Sequence, residues 1–335
     1  MKNWGQSQKR RHWRSLSNTS IIHKLRRVWQ LNQEIKHHMY RIVDDHIDVE
    51  DLNTQLKTFI ADKEQENASW SKITVCTHYM LGGNSPHLHR MAAVTELVIL
   101  ALDIMDDLQD QDHDSKPWRQ CPQAVALNAI LALLMGVVGE LGQLQVKDRA
   151  LVEVSQIISR SVNGQQKDVT NSISSADDYV LMTQEKSGSL FRFACFMGYS
   201  NLACAAETVE QLHDLADCIG LIHQIQNDMR DLAQFHVKSD LFTKKRTLPI
   251  LYLLSNDDAA FSKIKDYYEG KIQADELLRE KEDIVRMIHE SGCLEYARIV
   301  QSVCIQKAEE IYEQLQASSP WKEQFKEMTY ASFLD

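Results

Sequence analysis

The run Asp103-Ile104-Met105-Asp106-Asp107-Leu108-Gln109-Asp110-Gln111-Asp112-His113-Asp114 places six carboxylates in twelve residues, at the end of an apolar stretch. On a helix, Asp106 and Asp110 stand one turn apart on the same face, with about 5–6 Å between their Cβ atoms. Asp103, Asp107 and Asp114 fall on an adjoining face. Like charges at this spacing repel, Asp is a poor helix former, and a helix C-terminus already carries partial negative charge. Local stability does not account for such a cluster, whereas a divalent cation would. Mg²⁺ takes oxygen ligands at about 2.0–2.1 Å and commonly combines one or two carboxylates with substrate phosphates. A calcium loop of the EF-hand kind needs a Gly and a Glu at fixed positions, and both are missing. A solvated acidic turn is the plain alternative.

A second acidic segment follows about 120 residues later, in Gln224-Ile225-Gln226-Asn227-Asp228-Met229-Arg230-Asp231. Asp228 and Asp231 share a helical face, with Asn227 and Gln224 beside them. Two such helix ends meeting would form a cup of carboxylates able to hold Mg²⁺ and, through it, a diphosphate. Asp106, Asp107, Asp110, Asn227, Asp228 and Asp231 are the candidate metal ligands. Lys186 begins another helical run, and Lys238, Lys244, Lys245 and Arg246 lie in the loop after the second acidic segment. Singly, each is an ordinary surface charge. Beside two acidic helix ends, Lys186, Lys245, Gln224 and Arg119 become candidates to hold a diphosphate. Asp106, Asp110 and Lys186 are the candidate catalytic groups.

The elements that must position these residues are helices. Apolar residues recur at helical spacing from about Ser20 to Ile42, Val49 to Ala61, Met91 to Asp110, Ala124 to Leu144, and Arg149 to Val169. The pattern resumes over Asp177–Gln184, Lys186–Ala205, Val209–Ala233, Thr247–Leu254, Ala259–Tyr268, Ala274–Ser291 and Leu294–Gln316. No alternating strand pattern persists. The apolar run Ala124–Val138 is too short to span a bilayer and reads as a buried core helix. Residues 45–335 read as one large all-α domain, preceded by a basic extension and amphipathic helix over 1–44.

Composition agrees. The 335 residues include 12 Gly and 5 Pro, too few for the turns of a sandwich, barrel or propeller. The net charge of −10 divides into about +8 over residues 1–40 and −18 over the rest. An acidic body argues against nucleic acid as the main partner. The basic start is a candidate for peripheral contact with anionic lipid, or a solvated extension. Seven cysteines without a CxxC fit reduced thiols in a cytoplasmic protein.

Taken together, these segments resemble the isoprenyl diphosphate synthases, or trans-prenyltransferases. Asp106-Asp107-Leu108-Gln109-Asp110 is an intact DDxxD, and Ala92-Ala93-Val94-Thr95-Glu96-Leu97 resembles the AAxxEL that precedes it. Gly164-Gln165-Gln166-Lys167-Asp168 resembles GQxxD, Lys186-Ser187-Gly188-Ser189-Leu190 resembles KTxxL, and Asp240 to Pro249 resembles DLxxGKxTLP. The segment Gln224 to Asp231 resembles the second Asp-rich motif, with Asn227 in place of its first Asp. The resemblance implies a helical bundle of the isoprenoid synthase type, Mg²⁺ as cofactor and an allylic isoprenyl diphosphate as substrate. Chain-elongating members carry GGKxxRP, whose cations hold isopentenyl diphosphate. Gly82-Gly83-Asn84-Ser85-Pro86 is matched to that motif, with Asn84 for its Lys. The acceptor would then differ. Asp103 to Leu108, this loop and Trp118 resemble the ComQ-type tryptophan prenyltransferases. That branch implies transfer of a geranyl or farnesyl group to a Trp of a small quorum-sensing pre-pheromone peptide, ComX-like, and a homodimer is a candidate assembly. A chain-elongating synthase, a class I terpene cyclase and a non-catalytic helical subunit are the alternatives.

Overall fold

The computed structural model describes residues 32–65, 70–144, 146, 148–234 and 239–334. Most of the basic extension, and Lys238, lie outside these residues. Among those described there is no strand. The all-α expectation holds.

The helices are α1 (residues 32–46), α2 (Glu50–Lys63), α3 (Trp70–Met80), α4 (Leu88–Asp110), α5 (Pro117–Gln120), α6 (Gln123–Gln143) and α7 (Asp148–Val169). Then come α8 (Ala176–Thr183), a π-helical turn (Gln184–Gly188), α9 (Ser189–Tyr199), α10 (Ala206–Gln234) and α11 (Leu248–Ser255). The chain closes with α12 (Ser262–Tyr268), α13 (Ala274–Arg279), α14 (Lys281–Glu290), α15 (Cys293–Gln314) and α16 (Trp321–Thr329). The helix α1, which runs across the boundary expected at residue 44, contributes Ile35, Met39, Ile42 and Val43 to the core.

Two apolar clusters hold the bundle. The larger gathers α1, α3, α4, α6, α9 and the first half of α10. The smaller gathers the end of α10 with α8 and α11 to α15. Helix α4 is buried nearly all round from Leu88 to Ile104, as its apolar sequence requires.

Helix α6 departs from expectation. Ala126, Ala129, Ile130, Leu133, Val137 and Leu141 are buried, but Leu127, Leu131, Met135 and Val138 are each about half exposed or more. Its 21 residues are long and apolar enough to cross a membrane by length and composition. Its buried face carries Glu140, which Arg41 meets at 2.6 Å and Arg90 at 2.5 Å. This helix has one core face and one exposed apolar face, because Leu127, Leu131, Met135 and Val138 recur on the side turned from α4.

The bundle is polarised. Helix α4 climbs to Asp106 and Asp110, while α3 begins with Trp70 at that same end. At the other end, His78 donates from Nδ1 to the carbonyl of Gly198 and accepts from the backbone N–H of Ser85. The carbonyl of Met80 accepts from the backbone N–H of Ser318. The Gly82–Pro86 loop is therefore tied to the far end. Leu88 and Asp106 are 18 residues apart on one helix, about 27 Å at 1.5 Å per residue.

Candidate active site

Helix α4 brings Asp106 and Asp110 to a cavity of about 590 Å³, and α10 brings Gln224, Asn227, Asp228 and Asp231 to the same space. Lys186 enters from the π-turn, and Lys245 from the loop before α11. The two acidic helix ends, 120 residues apart in sequence, thus share one cavity with the two lysines.

Close backbone approach makes this possible. A Cβ on Gly164 of α7 would lie 2.3 Å from the backbone N of Lys186, and one on Gly220 of α10 would lie 2.5 Å from that of Gly188. Only glycine lets α7 and α10 press against the wide turn from two sides. One helical turn beyond Gly164, Asp168 then reaches Lys186. A π-turn inserts an extra residue into a helix and is often found at functional sites; here it aims Lys186 and Ser187 into the cavity.

The lysines are held by carboxylates. Lys186 Nζ donates to Asp168 at 2.7 Å and to Asp106 at 3.0 Å. Lys245 Nζ pairs with Asp110 and lies 4.0 Å from Asp168. Gln165 donates to Asp106 at 2.7 Å. Burial opposes ionisation of Asp106, but Lys186, Lys245 and Gln165 outweigh it and hold the carboxyl below its usual range. Burial also opposes charge on Lys186, yet Asp106, Asp168 and Asp110 raise it above an ordinary lysine. Both lysines are cations throughout the physiological range.

The other wall carries carboxylates in excess of cations. Tyr179 donates to Asp228 at 2.5 Å and Gln224 donates to it at 2.8 Å. Burial, aided by Asp168, nevertheless raises Asp228 to about 6. Asp240 is pushed to about 8 by burial and by Asp228 and Asp231. Its own backbone N–H donates to Asp231 at 2.7 Å. An all-oxygen donor set that repels itself fits a hard divalent cation such as Mg²⁺. Among the described residues no three acidic, imidazole or thiol groups converge as a ready-made cage.

A pH dependence follows. Unfolded carboxyls ionise near pH 4, while folded Asp228 and Asp240 keep protons up to about 6 and 8. Between these limits these two groups bind fewer protons in the unfolded chain, so their contribution to metal-free stability falls as pH rises from about 4 to 8. Asp240→Asn is expected to remove the upper part of this fall. The melting temperature, scanned from pH 5 to 8 with chelator, should decline less than in the parent chain. The gain should be about 2–4 °C per kcal/mol of repulsion relieved.

Two residues assigned to the site from the sequence lie outside the cavity. Asp107 is buried and accepts from Trp118 Nε1 at 2.7 Å and from His113 at 2.7 Å. It sits 100° around the helix from Asp106 and anchors the α5 segment as a buried acceptor, outside the cavity that Asp106 and Asp110 line. Arg119 meets Asp114 at 3.3 Å and does not line the cavity. Gln224 does line it, but its carbonyl accepts from Ser187 and its amide donates to Asp228. Gln224 therefore positions its neighbours first. The Gly82–Pro86 loop, matched by sequence to a diphosphate-binding motif, is remote from the cavity. From α3, the residue that borders it is Trp70.

Other groups were visible in the motifs but carried no role there. Asp168, the last residue of the GQxxD-like run, bridges both lysines. Asp240 closes the second acidic wall. Trp70, Phe191 and His223 had no sequence signal beyond being aromatic near helical apolar residues. A narrower cleft of about 90 Å³ opens beside Asp106 and Lys186, lined by Leu102, Met105, Val162, Val169 and Leu190 between α4 and α7.

The pattern of the polyprenyl synthetase family matches residues 71–288. Curated relatives include the tryptophan prenyltransferase ComQ of Bacillus subtilis (strain 168), 29% identical over 296 residues, covering 86% of this chain and 95% of the relative. The protein of that name from Bacillus subtilis subsp. natto is 27% identical over 283 residues, covering 84% and 87%. Among solved structures, decaprenyl diphosphate synthase from Rhodobacter capsulatus superposes with a TM-score of 0.75 at 16% identity, over 90% of this chain and 96% of that one. Geranylgeranyl pyrophosphate synthase from Corynebacterium glutamicum, complexed with calcium and isoprenyl diphosphate, gives 0.72 at 21% identity, over 91% and 95%. At these identities the solved structures speak for the fold.

Proposed function

The chain belongs to the polyprenyl synthetase family and is an enzyme that transfers isoprenyl groups, and on that premise we propose that it is a Mg²⁺-dependent prenyltransferase acting on a tryptophan of a small pre-pheromone peptide. The donor is a geranyl or farnesyl diphosphate. One observation carries the donor side: two protonated lysines and two carboxylate pairs share a single cavity. The acceptor side is supported by relatives named for tryptophan prenylation that match most of the chain.

Asp106 and Asp110 on one wall, and Asn227, Asp228 and Asp231 on the other, would hold Mg²⁺ together with the donor diphosphate. When bound, the metal neutralises charge that grows on the departing diphosphate. Lys186 and Lys245 face the same leaving group, pre-positioned by Asp106, Asp110 and Asp168. Tyr179 and Gln224 fix Asp228 in place. The isoprenyl tail would enter beside Leu102, Met105, Val162, Val169 and Leu190, where the cleft between α4 and α7 must widen to take ten or more carbons. Trp70, Leu190 and Phe191 exclude water from the allylic carbon as its bond to oxygen breaks. The indole attacks as a neutral π-nucleophile, so no strong base is needed to activate it.

The test is a product assay. The protein is incubated with Mg²⁺, geranyl or farnesyl diphosphate, and one of three additions: a Trp-containing peptide, isopentenyl diphosphate, or nothing. The expected product is a peptide heavier by one isoprenyl group. A longer diphosphate would identify a chain-elongating synthase, and a hydrocarbon formed without acceptor would identify a cyclase.

The assembly we propose is a homodimer through the exposed face of α6. Two-fold pairing of the Leu127–Leu131–Met135–Val138 stripe on itself is the smallest assembly that covers it. Leu131→Glu should halve the mass measured by light scattering. A parent chain already monomeric at micromolar concentration would contradict this.

A further inference from the structure

Beside the groups proposed to hold the diphosphate, the cavity carries an aromatic wall. Trp70 and Phe191 rings lie 4.7 Å apart at 56°, and Phe191 stacks on His223 at 5.5 Å and 29°. Phe333, in the turn after α16, meets the other side of His223 edge-on at 5.0 Å. Trp70, Phe191 and His223 all line the cavity that holds Lys186 and Asp106. With Leu190 they bring no fixed positive charge of their own, and Arg230, the cation that α10 adds to the cavity, stands two turns beyond His223, about 10 Å along the helix. The next cation on α9, Arg192, is held away by Asp217 at 2.8 Å. An acceptor bearing its own diphosphate would need cations here. A flat apolar ring is what such a wall accommodates.

His223 adds a directional group. Its Nε2 lies 2.5 Å from the carbonyl oxygen of Thr329. A carbonyl can only accept, so Nε2 carries the proton. Burial lowers the pKa of the ring, against the opposing pull of that carbonyl, and favours the neutral form. The lone pair is then on Nδ1, for which no hydrogen-bond partner occurs among the described residues. The C-terminal segment thus fixes the tautomer of a histidine at the aromatic end of the cavity.

We propose that Trp70, Phe191 and His223 form the subsite for the acceptor ring, and that Nδ1 of His223 accepts the indole N–H and so selects tryptophan over other aromatic side chains. This rests on the prenyl-transfer reading above and names its acceptor contacts. In the step itself, the C–O bond of the donor breaks and its electron pair leaves with diphosphate. A π pair of the ring forms the new C–C bond. The ring then releases one proton to the departing diphosphate, and nothing is oxidised or reduced. The wall of π faces beside the allylic carbon also favours transient positive charge there.

The experiment compares two peptides that differ only at the acceptor: one with Trp, one with benzothienylalanine, where sulfur replaces the ring N–H. The ratio of their kcat/KM values is measured in the parent protein, in His223→Phe and in His223→Asn. The ratio cancels general losses of activity. Phe keeps the stack but offers no acceptor; the Asn amide oxygen can stand near the place of Nδ1. The parent ratio should fall by about tenfold in His223→Phe, the worth of a buried hydrogen bond, and be largely kept in His223→Asn. An unchanged ratio in His223→Phe overturns the proposal, as does a ratio lost equally in His223→Asn; either variant alone decides if the other is too slow. Failure of the parent protein to modify either peptide, while it elongates isopentenyl diphosphate, overturns the transfer reading and this subsite with it. Modification of both peptides at comparable rates by the parent overturns the subsite alone.

Discussion

Asp106→Asn should lower isoprenyl transfer by about 10³-fold or more, with little loss of folded protein. Asp106 faces the cavity and is held ionised by Lys186, Lys245 and Gln165. On the proposed reading, removing its charge subtracts a ligand for the cation and loosens Lys186, which it holds at 3.0 Å. An enzyme that stabilises developing charge loses about 10²–10³ for a single donor, and this change affects two groups at once. Loss of folded protein is not the main cause: Asn keeps the shape of the side chain and an acceptor oxygen for Lys186 and Gln165, so losing a charge that those neighbours favour should lower the melting temperature only modestly. Raising Mg²⁺ should recover part of the activity, since the remaining ligands bind it more weakly. Steady-state rates across a Mg²⁺ titration, beside melting curves, check both statements. Asp107→Asn is the internal contrast. Its effect should fall on stability through Trp118 and His113, while any folded enzyme keeps its Mg²⁺ dependence.

Lys186→Met should reduce kcat by about 10²–10³-fold, and added Mg²⁺ should not restore it. The ammonium is buried between Asp106 and Asp168, 3.0 and 2.7 Å away, so its loss leaves those two carboxylates uncompensated. Met keeps the length and apolar stem of the side chain and the packing of the π-turn. The two variants are thus separable by metal titration: partial rescue for Asp106→Asn, none for Lys186→Met. Equal rescue of both would show that the lysine acts only by organising metal ligands.

Much of this arrangement was legible in the sequence, for reasons that also mark the limits. Helices such as α4, α7 and α10 carry long apolar periods and end in chemistry that local stability does not explain. Helix α3 was missed because half of its buried residues are polar: Ser71, Thr74, Thr77 and His78 are buried together with Ile73, Val75, Cys76 and Met80. Thr74 hides its hydroxyl by donating to the carbonyl of Ala194 at 2.9 Å, and such polar positions interrupt the apolar period. Neighbours in a cluster could not be told apart either. Asp106 and Asp107 differ by 100° around α4, and only the packed partners decide which meets the cavity. The Gly82–Pro86 loop shows a related limit. Short motifs give residues and order, while the end of the bundle they occupy depends on the direction of the helix before them. Helix α3 runs away from the cavity, so this loop cannot serve it. The proposed acceptor end escaped sequence reading because Trp70, Phe191 and His223 come from three helices, and single aromatic residues there resemble ordinary core.

The central claim is that this cavity ionises an allylic diphosphate and hands the isoprenyl group to an aromatic acceptor. A competition in one vessel tests it most directly. Farnesyl or geranyl diphosphate, Mg²⁺, a Trp-containing peptide and isopentenyl diphosphate are supplied together, the two acceptors at equal concentration, and all products are counted by mass. The predicted result is isoprenylated peptide as the dominant product, abolished by Asp106→Asn. An elongated diphosphate beside unmodified peptide would contradict it.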